Sequence, residues 1–215
     1  MIGVIFDMDG TLFDTQKICI LAWEYAGNLQ GIKGVGESIV NVCGMNETGW
    51  TNYLKETYKN LETDSFKIAA RDYIIKNGKV EFKKGAKELI AFLKENNIKI
   101  AIASGSSKTT VLKNLSKVGL NDVFDSVVGG DEVERGKPHP DIFLLAAEKI
   151  GANPEDCFVF EDSKHGIISG SCAGMKCIGI PDIVEFDEET KKLMYAKLSS
   201  LDEGIEIIRN YLDKN

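Results

Sequence analysis

The chain opens with Met1-Ile-Gly-Val-Ile-Phe6, an apolar run rich in branched residues, and breaks at Asp7-Met-Asp9-Gly10. A run of this length without alternation reads as a strand buried on both faces, and Asp-Gly marks the turn at its end. The same grammar recurs four times downstream. KIAIASG (99–105), DSVVGG (125–130), DCFVFED (156–162) and MKCIGIPD (175–182) are short apolar runs ending in small or acidic residues. Helical patterns precede them at Gly85–Asn96, Lys108–Val118, Asp141–Ile150 and Lys164–Ala173, and Leu201–Leu212 closes the chain as a helix. Strands alternating with helices of this length predict an α/β fold, a Rossmann-like doubly wound parallel sheet.

Between the first and second strands the pattern changes. Thr15 to Leu29 is helical, with Ile18, Leu21, Ala22 and Tyr25 at three- and four-residue spacings, and further helices are expected at Gly36–Cys43, Glu47–Lys59 and Asp64–Asn77. No buried-strand signal occurs there. Residues 15–80 therefore read as an inserted all-α cap domain, and 1–14 with 81–215 as the core. Gly31-Ile-Lys-Gly-Val-Gly36 falls between two helices of the insert and not in a βαβ unit, so it reads as a connecting loop and not as a dinucleotide fingerprint.

Composition narrows the function classes. Of 215 residues 43% are hydrophobic, enough for a continuous core, and the net charge is −7 with no long basic run. Binding to nucleic acid or to an anionic membrane surface is therefore not expected, since both depend on positive charge. An anionic ligand would need a local attractor such as a metal ion or a placed lysine. The first apolar run is too short to span a bilayer and is followed at once by the acidic turn, so no leader or membrane anchor is expected. Five cysteines (Cys19, Cys43, Cys157, Cys172, Cys177) form no CxxC pair and read as buried thiols in a cytoplasmic protein. With only His139 and His165 to join them, no zinc spacing results.

Every strongly polar feature of the core follows a predicted strand. In an open parallel sheet the carboxyl ends of the strands line the ligand crevice. Four ends would bring together Asp7 and Asp9, Ser104, Lys137 (through a longer loop, 129–141), and Glu161 with Asp162. Four carboxylates within a few ångströms repel one another unless a hard divalent cation sits among them, and oxygen-only ligands favour Mg²⁺. A cation, a lysine and a serine hydroxyl together can clamp a phosphoryl group. His139 and His165 are expected beside the site or facing solvent, because Mg²⁺ prefers oxygen.

Asp7-Met-Asp-Gly-Thr-Leu-Phe-Asp14 resembles the first signature of the haloacid dehalogenase superfamily, DxDGT[LV]xD. Ser104 in IASGSS, Lys137 in GKPHPDIF and Glu161-Asp162 in FEDSKHGI follow in that superfamily's order. The helical insert after the first motif resembles the small cap of the branch holding β-phosphoglucomutase and phosphoglycolate phosphatase. The resemblance implies that Asp7 is the nucleophile and becomes an aspartyl phosphate. It implies that Asp9 is the general acid and base, with its backbone carbonyl on Mg²⁺. Thr11 would orient Asp9. Ser104, with the N–H groups of Gly105 and Ser106, would hold phosphoryl oxygens, and Lys137 would neutralise the transferring group. Asp162 would bind the metal, with Glu161 alongside or through water.

Having Asp9, the chain reads as a phosphate-ester enzyme, because related dehalogenases lack that aspartate and phosphonatases replace it with alanine. The β-phosphoglucomutases carry a histidine twelve residues after the nucleophile and an arginine in the cap loop. Here those places hold Cys19 and the arginine-free Gly44-Met-Asn-Glu-Thr48, which favours a phosphatase over a phosphomutase. Thr15, Cys19 and Trp23 share a helix face, and with Asn46 and Glu47 of the cap loop they are candidates for reading the leaving group. Trp23, Trp50 and Tyr53 also fall on packing periods. A small cap implies a small cavity and a small phosphorylated metabolite, such as a sugar phosphate, on a monomer or weak homo-oligomer. A signalling receiver would gather similar residues, but with an adjacent acid pair after its first strand. A catalytically silent binding module would share every motif, and turnover of an aryl phosphate separates it.

Overall fold

The computed structural model describes residues 1–214. Six strands form one parallel sheet: β1 (Gly3–Phe6), β2 (Lys99–Ser104), β3 (Ser126–Gly129), β4 (Cys157–Glu161), β5 (Lys176–Gly179) and β6 (Ala196–Lys197), in the order β3-β2-β1-β4-β5-β6. Five are the apolar runs expected from the sequence. The sixth, only two residues long, was not expected; it pairs Ile178 with Ala196 and Gly179 with Lys197 at the sheet edge. A strand that short carries no periodicity, and its pairing comes from the preceding chain packing Phe186 and Met194 beneath β5.

Within β1 successive side chains serve opposite faces, as strand geometry requires. Val4 and Phe6 join Ile100, Ile102, Phe158, Phe160 and Ile178 on one face, while Ile5 joins Ala101, Ala103, Val128 and Val159 on the other. The first face is covered by α5 (Ala86–Glu95), α6 (Lys108–Lys117) and α10 (Gly204–Leu212) through Leu89, Leu93, Val111, Leu115 and Ile208. The second is covered by α7 (Asp141–Ile150) and α8 (Lys164–Cys172) through Ile142, Phe143, Ala146 and Ile167. A one-turn helix, α9 (Glu188–Lys191), precedes β6.

The insert is all helical: α1 (Gln16–Leu29), α2 (Ile39–Val42), α3 (Glu47–Thr57) and α4 (Thr63–Asn77). It has an apolar centre of its own, in which Trp23 meets Trp50 and Phe66 with ring centroids 5.3 and 5.4 Å apart. Residues 31–36 are a loop, as expected, held by the Glu24 carboxylate, which accepts the N–H groups of Gly34 and Gly36. The two chain segments that join insert and core run side by side. Asp14 N–H donates to the Glu81 carbonyl and Lys83 N–H to the Leu12 carbonyl, with Phe13 and Phe82 ring against ring. Of the five cysteines Cys157 and Cys177 are buried, but Cys172 is exposed at the end of α8, correcting the expectation of uniformly buried thiols.

Phe160 is fully buried and stacks on Phe6 at 5.3 Å on the strand pair that carries the acidic turns. Phe160→Ala is expected to cost about 3–5 kcal/mol of unfolding free energy in urea titrations. A loss below about 1 kcal/mol would contradict this packing.

Candidate active site

Register creates the site. Phe6 is level with Ile102 and Phe160, so the next residues, Asp7 and Glu161, emerge side by side where β1 and β4 end, with Ser104 finishing β2. Asp7 N–H extends the ladder to the Phe160 carbonyl. Asp7, Glu161 and Asp162 are all buried, and their carboxylate oxygens lie within 4.8 Å of one another.

Lys137 comes from the loop before α7 and is the only cation inside this group. Its Nζ donates to Asp7 Oδ1 and Glu161 Oε1, both at 2.7 Å, with no exposure of the side chain and the Phe143 ring 4.8 Å away. Burial opposes its charge, but Asp7 and Glu161 together outweigh that and hold the ammonium well above its ordinary pKa. Glu161 is anchored from behind. Its Oε2 accepts the N–H and hydroxyl of Ser163 at 2.7 and 2.8 Å, at the start of α8, where a partial positive charge favours a carboxylate.

Three carboxylates share one cation, and the excess shows in the protonation of Asp7 and Asp162. Burial, reinforced by Glu161 and Asp9 against Lys137, pushes Asp7 up to about 8. Burial and the charges of Glu161 and Asp7 raise Asp162 well above the usual carboxylate range. A cluster of oxygen donors that cannot all ionise unaided has the chemistry a hard divalent cation satisfies, so Asp7 and Asp162 fit Mg²⁺.

Asp9 departs from the expected arrangement. Its carboxylate is not in the acidic cluster: Oδ1 accepts from the Thr15 hydroxyl at 2.7 Å and Oδ2 from the Ser106 hydroxyl at 2.8 Å, with Ser104 Oγ at 3.5 Å. Its main-chain oxygen faces the other way, toward Asp162, and accepts from Gln16 Nε2 at 3.1 Å. Three close carboxylates, not four, form the cluster. Thr11 does not orient Asp9 either; its hydroxyl donates to Asp162 Oδ1 at 3.2 Å, and Thr15 holds Asp9 instead. The turn at Gly10, with φ of 88°, decides which hydroxyl faces which acid, and a Cβ there would lie 2.2 Å from Asp162 Oδ2. Ser104 Oγ accepts the Ser106 N–H at 3.1 Å, and Ser107, not Ser106, caps α6.

The remaining candidates separate. Cys19 lines the cavity in front of Asp7, and burial pushes its thiol up to about 12, so it stays protonated. Trp23 borders the same cavity but is chiefly packed against Trp50 and Phe66. Asn46 accepts the Gly49 N–H as the cap of α3 and lies against Gly130 and Gly136, outside the cavity of Asp7. Glu47 pairs with Lys67 at the cavity wall, its side chain mostly exposed. His139 is exposed. His165, its pKa lowered by burial, makes a 3.1 Å bond to the Cys43 carbonyl. Gln16 escaped the sequence reading. Its one signal was position, opening α1 directly behind the first acidic motif.

The cap loop 43–46 meets the core through a glycine on each side, Gly44 in the loop and Gly105 in the core. A Cβ at Gly105 would lie 2.5 Å from the Met45 carbonyl, and one at Gly44 would lie 2.3 Å from Ser163 Oγ. Between cap and core is a cavity of about 1050 Å³, larger than a small cap implied, because it continues outward between α4 and α6.

Residues 4–180 match the model of the haloacid dehalogenase-like hydrolase family, and the chain belongs to that family. It is 31% identical over 181 residues to a phosphorylated carbohydrates phosphatase of Thermotoga maritima, covering 83% of this chain and 84% of that one. It is 32% identical over 195 residues to β-phosphoglucomutase of Bacillus subtilis, covering 84% and 83%. A crystal structure of β-phosphoglucomutase from Clostridium difficile superimposes with a TM-score of 0.82 at 26% identity, covering 100% of this chain and 98% of that one. The chain is thus an enzyme of the phosphatase and phosphomutase branch. Among the described residues no helix is long and apolar enough to cross a membrane.

With Asp7 raised to about 8, the metal-free site holds protons at neutral pH that a cation must displace. Mg²⁺ binding at neutral pH is expected to release protons, and its affinity to rise with pH through about 8. Calorimetry in buffers of different ionisation enthalpy measures this, and pH-independent binding without proton release would contradict it.

Proposed function

We propose that this enzyme is a Mg²⁺-dependent phosphatase that hydrolyses a small phosphorylated metabolite through a phosphoryl group carried transiently on Asp7. The observation that carries the reading is the Lys137 ammonium bridging Asp7 and Glu161 at 2.7 Å, with the Asp9 carboxylate held separately by two hydroxyls. This difference in surroundings supports reading one carboxylate for attack and the other for proton transfer.

In the first half-reaction an Asp7 oxygen forms a bond to phosphorus while the ester P–O bond breaks, and Asp9 gives its proton to the departing oxygen. In the second, Asp9 takes a proton from water, whose oxygen attacks the same phosphorus and frees phosphate and Asp7. Hydroxyls both donate and accept, so Thr15 and Ser106 can hold Asp9 in either protonation state. Lys137 offsets charge on Asp7 and on the transferring oxygens, and Ser104 with the Gly105 N–H borders the cavity in front of Asp7, whereas the Ser106 N–H is already engaged by Ser104 Oγ. Asp7, Asp162 and the Asp9 main-chain oxygen would hold Mg²⁺, which when bound supplies neutralisation of phosphoryl charge.

A charge contrast supports an anionic substrate. The chain carries −7 overall, yet Lys67, Arg71, Lys79, Lys113 and Lys117 line the outer cavity against two acids there, Asp64 and the Glu47 that pairs with Lys67. Identity to relatives does not separate hydrolysis from mutase chemistry, since both kinds match about equally. The local residues favour hydrolysis: the cap offers the protonated Cys19 thiol and an arginine-free loop where a mutase would hold and steer a second substrate end.

Asp7→Asn is expected to lower phosphate release at least a thousandfold with thermal unfolding little changed; substantial residual turnover would reject the nucleophile. In a panel of phosphorylated metabolites with Mg²⁺, including β-glucose 1-phosphate, free phosphate should accumulate. Isomerisation to glucose 6-phosphate without phosphate release would replace phosphatase by mutase. Gly105→Ala keeps its N–H but drives a Cβ into the Met45 carbonyl, so kcat/KM is expected to fall about tenfold or more with core stability retained. Unchanged turnover would show that cap seating is dispensable.

A further inference from the structure

Gln16 is the first residue of α1 and is 7% exposed. A primary amide has two N–H donors at one end and an acceptor oxygen at the other. Here Nε2 reaches Asp9 O at 3.1 Å and Asp162 Oδ2 at 3.3 Å, so one side chain spans the turns that follow β1 and β4. Its Oε1 points into the cap, 3.6 Å from the Cys43 thiol on the loop after α2. The reversed amide would set its oxygen against Asp162 Oδ2, so the neighbouring charges fix this orientation.

Asp162 is therefore gripped from two directions, by Thr11 on Oδ1 and by Gln16 on Oδ2. The grips differ in origin. Thr11 lies in the core turn with a fully buried side chain, whereas Gln16 belongs to the cap helix, two residues past the Asp14–Glu81 crossing. Rotation of the cap about that crossing would move Gln16 with α1, while the Thr11 bond belongs to the core alone. The Cys43 carbonyl, held by His165 of the core, marks the same loop as the seated end of the cap.

We propose that Gln16 is a positioning residue that couples seating of the cap to cation affinity at Asp162 and the Asp9 main-chain oxygen. The proposal rests on the reading of that site as a cation site. With the cap seated, both N–H groups orient the two oxygens for a cation; with the cap open, Asp162 keeps a single tether. Residues that orient metal ligands commonly change affinity 10–100-fold when replaced. Coupling is reciprocal, so a cation that prefers the oriented oxygens must also favour the seated cap.

Both tryptophans, Trp23 and Trp50, lie in the cap helices, so intrinsic fluorescence reports the cap while calorimetry with Mg²⁺ or Mn²⁺ alone reports the site. Wild-type protein should bind the cation with a change in tryptophan emission. Gln16→Met, similar in length but without N–H donors, should weaken cation binding at least tenfold and abolish the emission change, with the metal-free melting temperature retained. Gln16→Glu keeps the shape but likewise has no N–H donor, so it too should lose the emission change whatever its added charge does to affinity; it serves if the methionine variant does not fold. Binding by Gln16→Met within twofold of wild type, or weakened binding with the emission change intact, would overturn the coupling. An emission change retained by Gln16→Glu would overturn it as well. Failure of wild-type protein to bind any divalent cation would instead defeat the underlying cation-site reading.

Discussion

The site depends on a single ammonium group, that of Lys137, shared at 2.7 Å between two buried carboxylates. Without it Asp7 and Glu161 would face each other in a desolvated space, where an unpaired charge costs several kcal/mol. With it one of three negative charges is matched, and the remaining excess calls for a second cation. The parallel sheet holds these groups in place. Level strands put Asp7 and Glu161 at the same height, and the aromatic stack of Phe6 on Phe160 beneath them keeps that height fixed.

Chemistry divides along the same lines. Two aspartates separated by one residue leave the end of β1 in opposite directions, one into the acidic cluster and one toward the hydroxyls of Thr15 and Ser106. Asp7 has a cationic neighbour and Asp9 has hydroxyl partners, which suits the proposed division into nucleophile and proton carrier. The cap supplies the other half of the enclosure. It sits on glycines because main chain approaches main chain at Gly105 and the Ser163 side chain at Gly44, where any added side chain would intrude.

Much of this was legible in the amino-acid order. Five strands announced themselves as unbroken apolar runs, and the chemical groups stood just beyond their ends, where a parallel sheet concentrates function. Details set by turn geometry were not legible. The sequence put Thr11 beside Asp9 and Thr15 toward the leaving group, but past the left-handed turn at Gly10 Thr11 meets Asp162 and Thr15 meets Asp9. Asn46 looked like a substrate contact because it sits in the cap loop, but α3 needed a cap and took it. The edge strand β6 is too short to carry a pattern, and Gln16 is a residue type no pattern singles out.

The central claim is that phosphorus is held covalently by one particular carboxylate. Rapid quenching of protein mixed with Mg²⁺ and a turned-over phosphate ester, followed by borohydride reduction and peptide mass spectrometry, tests it directly. Asp7 should be recovered as homoserine in amounts that vanish when the cation is withheld. Recovery of the modification at another residue, or of none during steady turnover, would contradict the account.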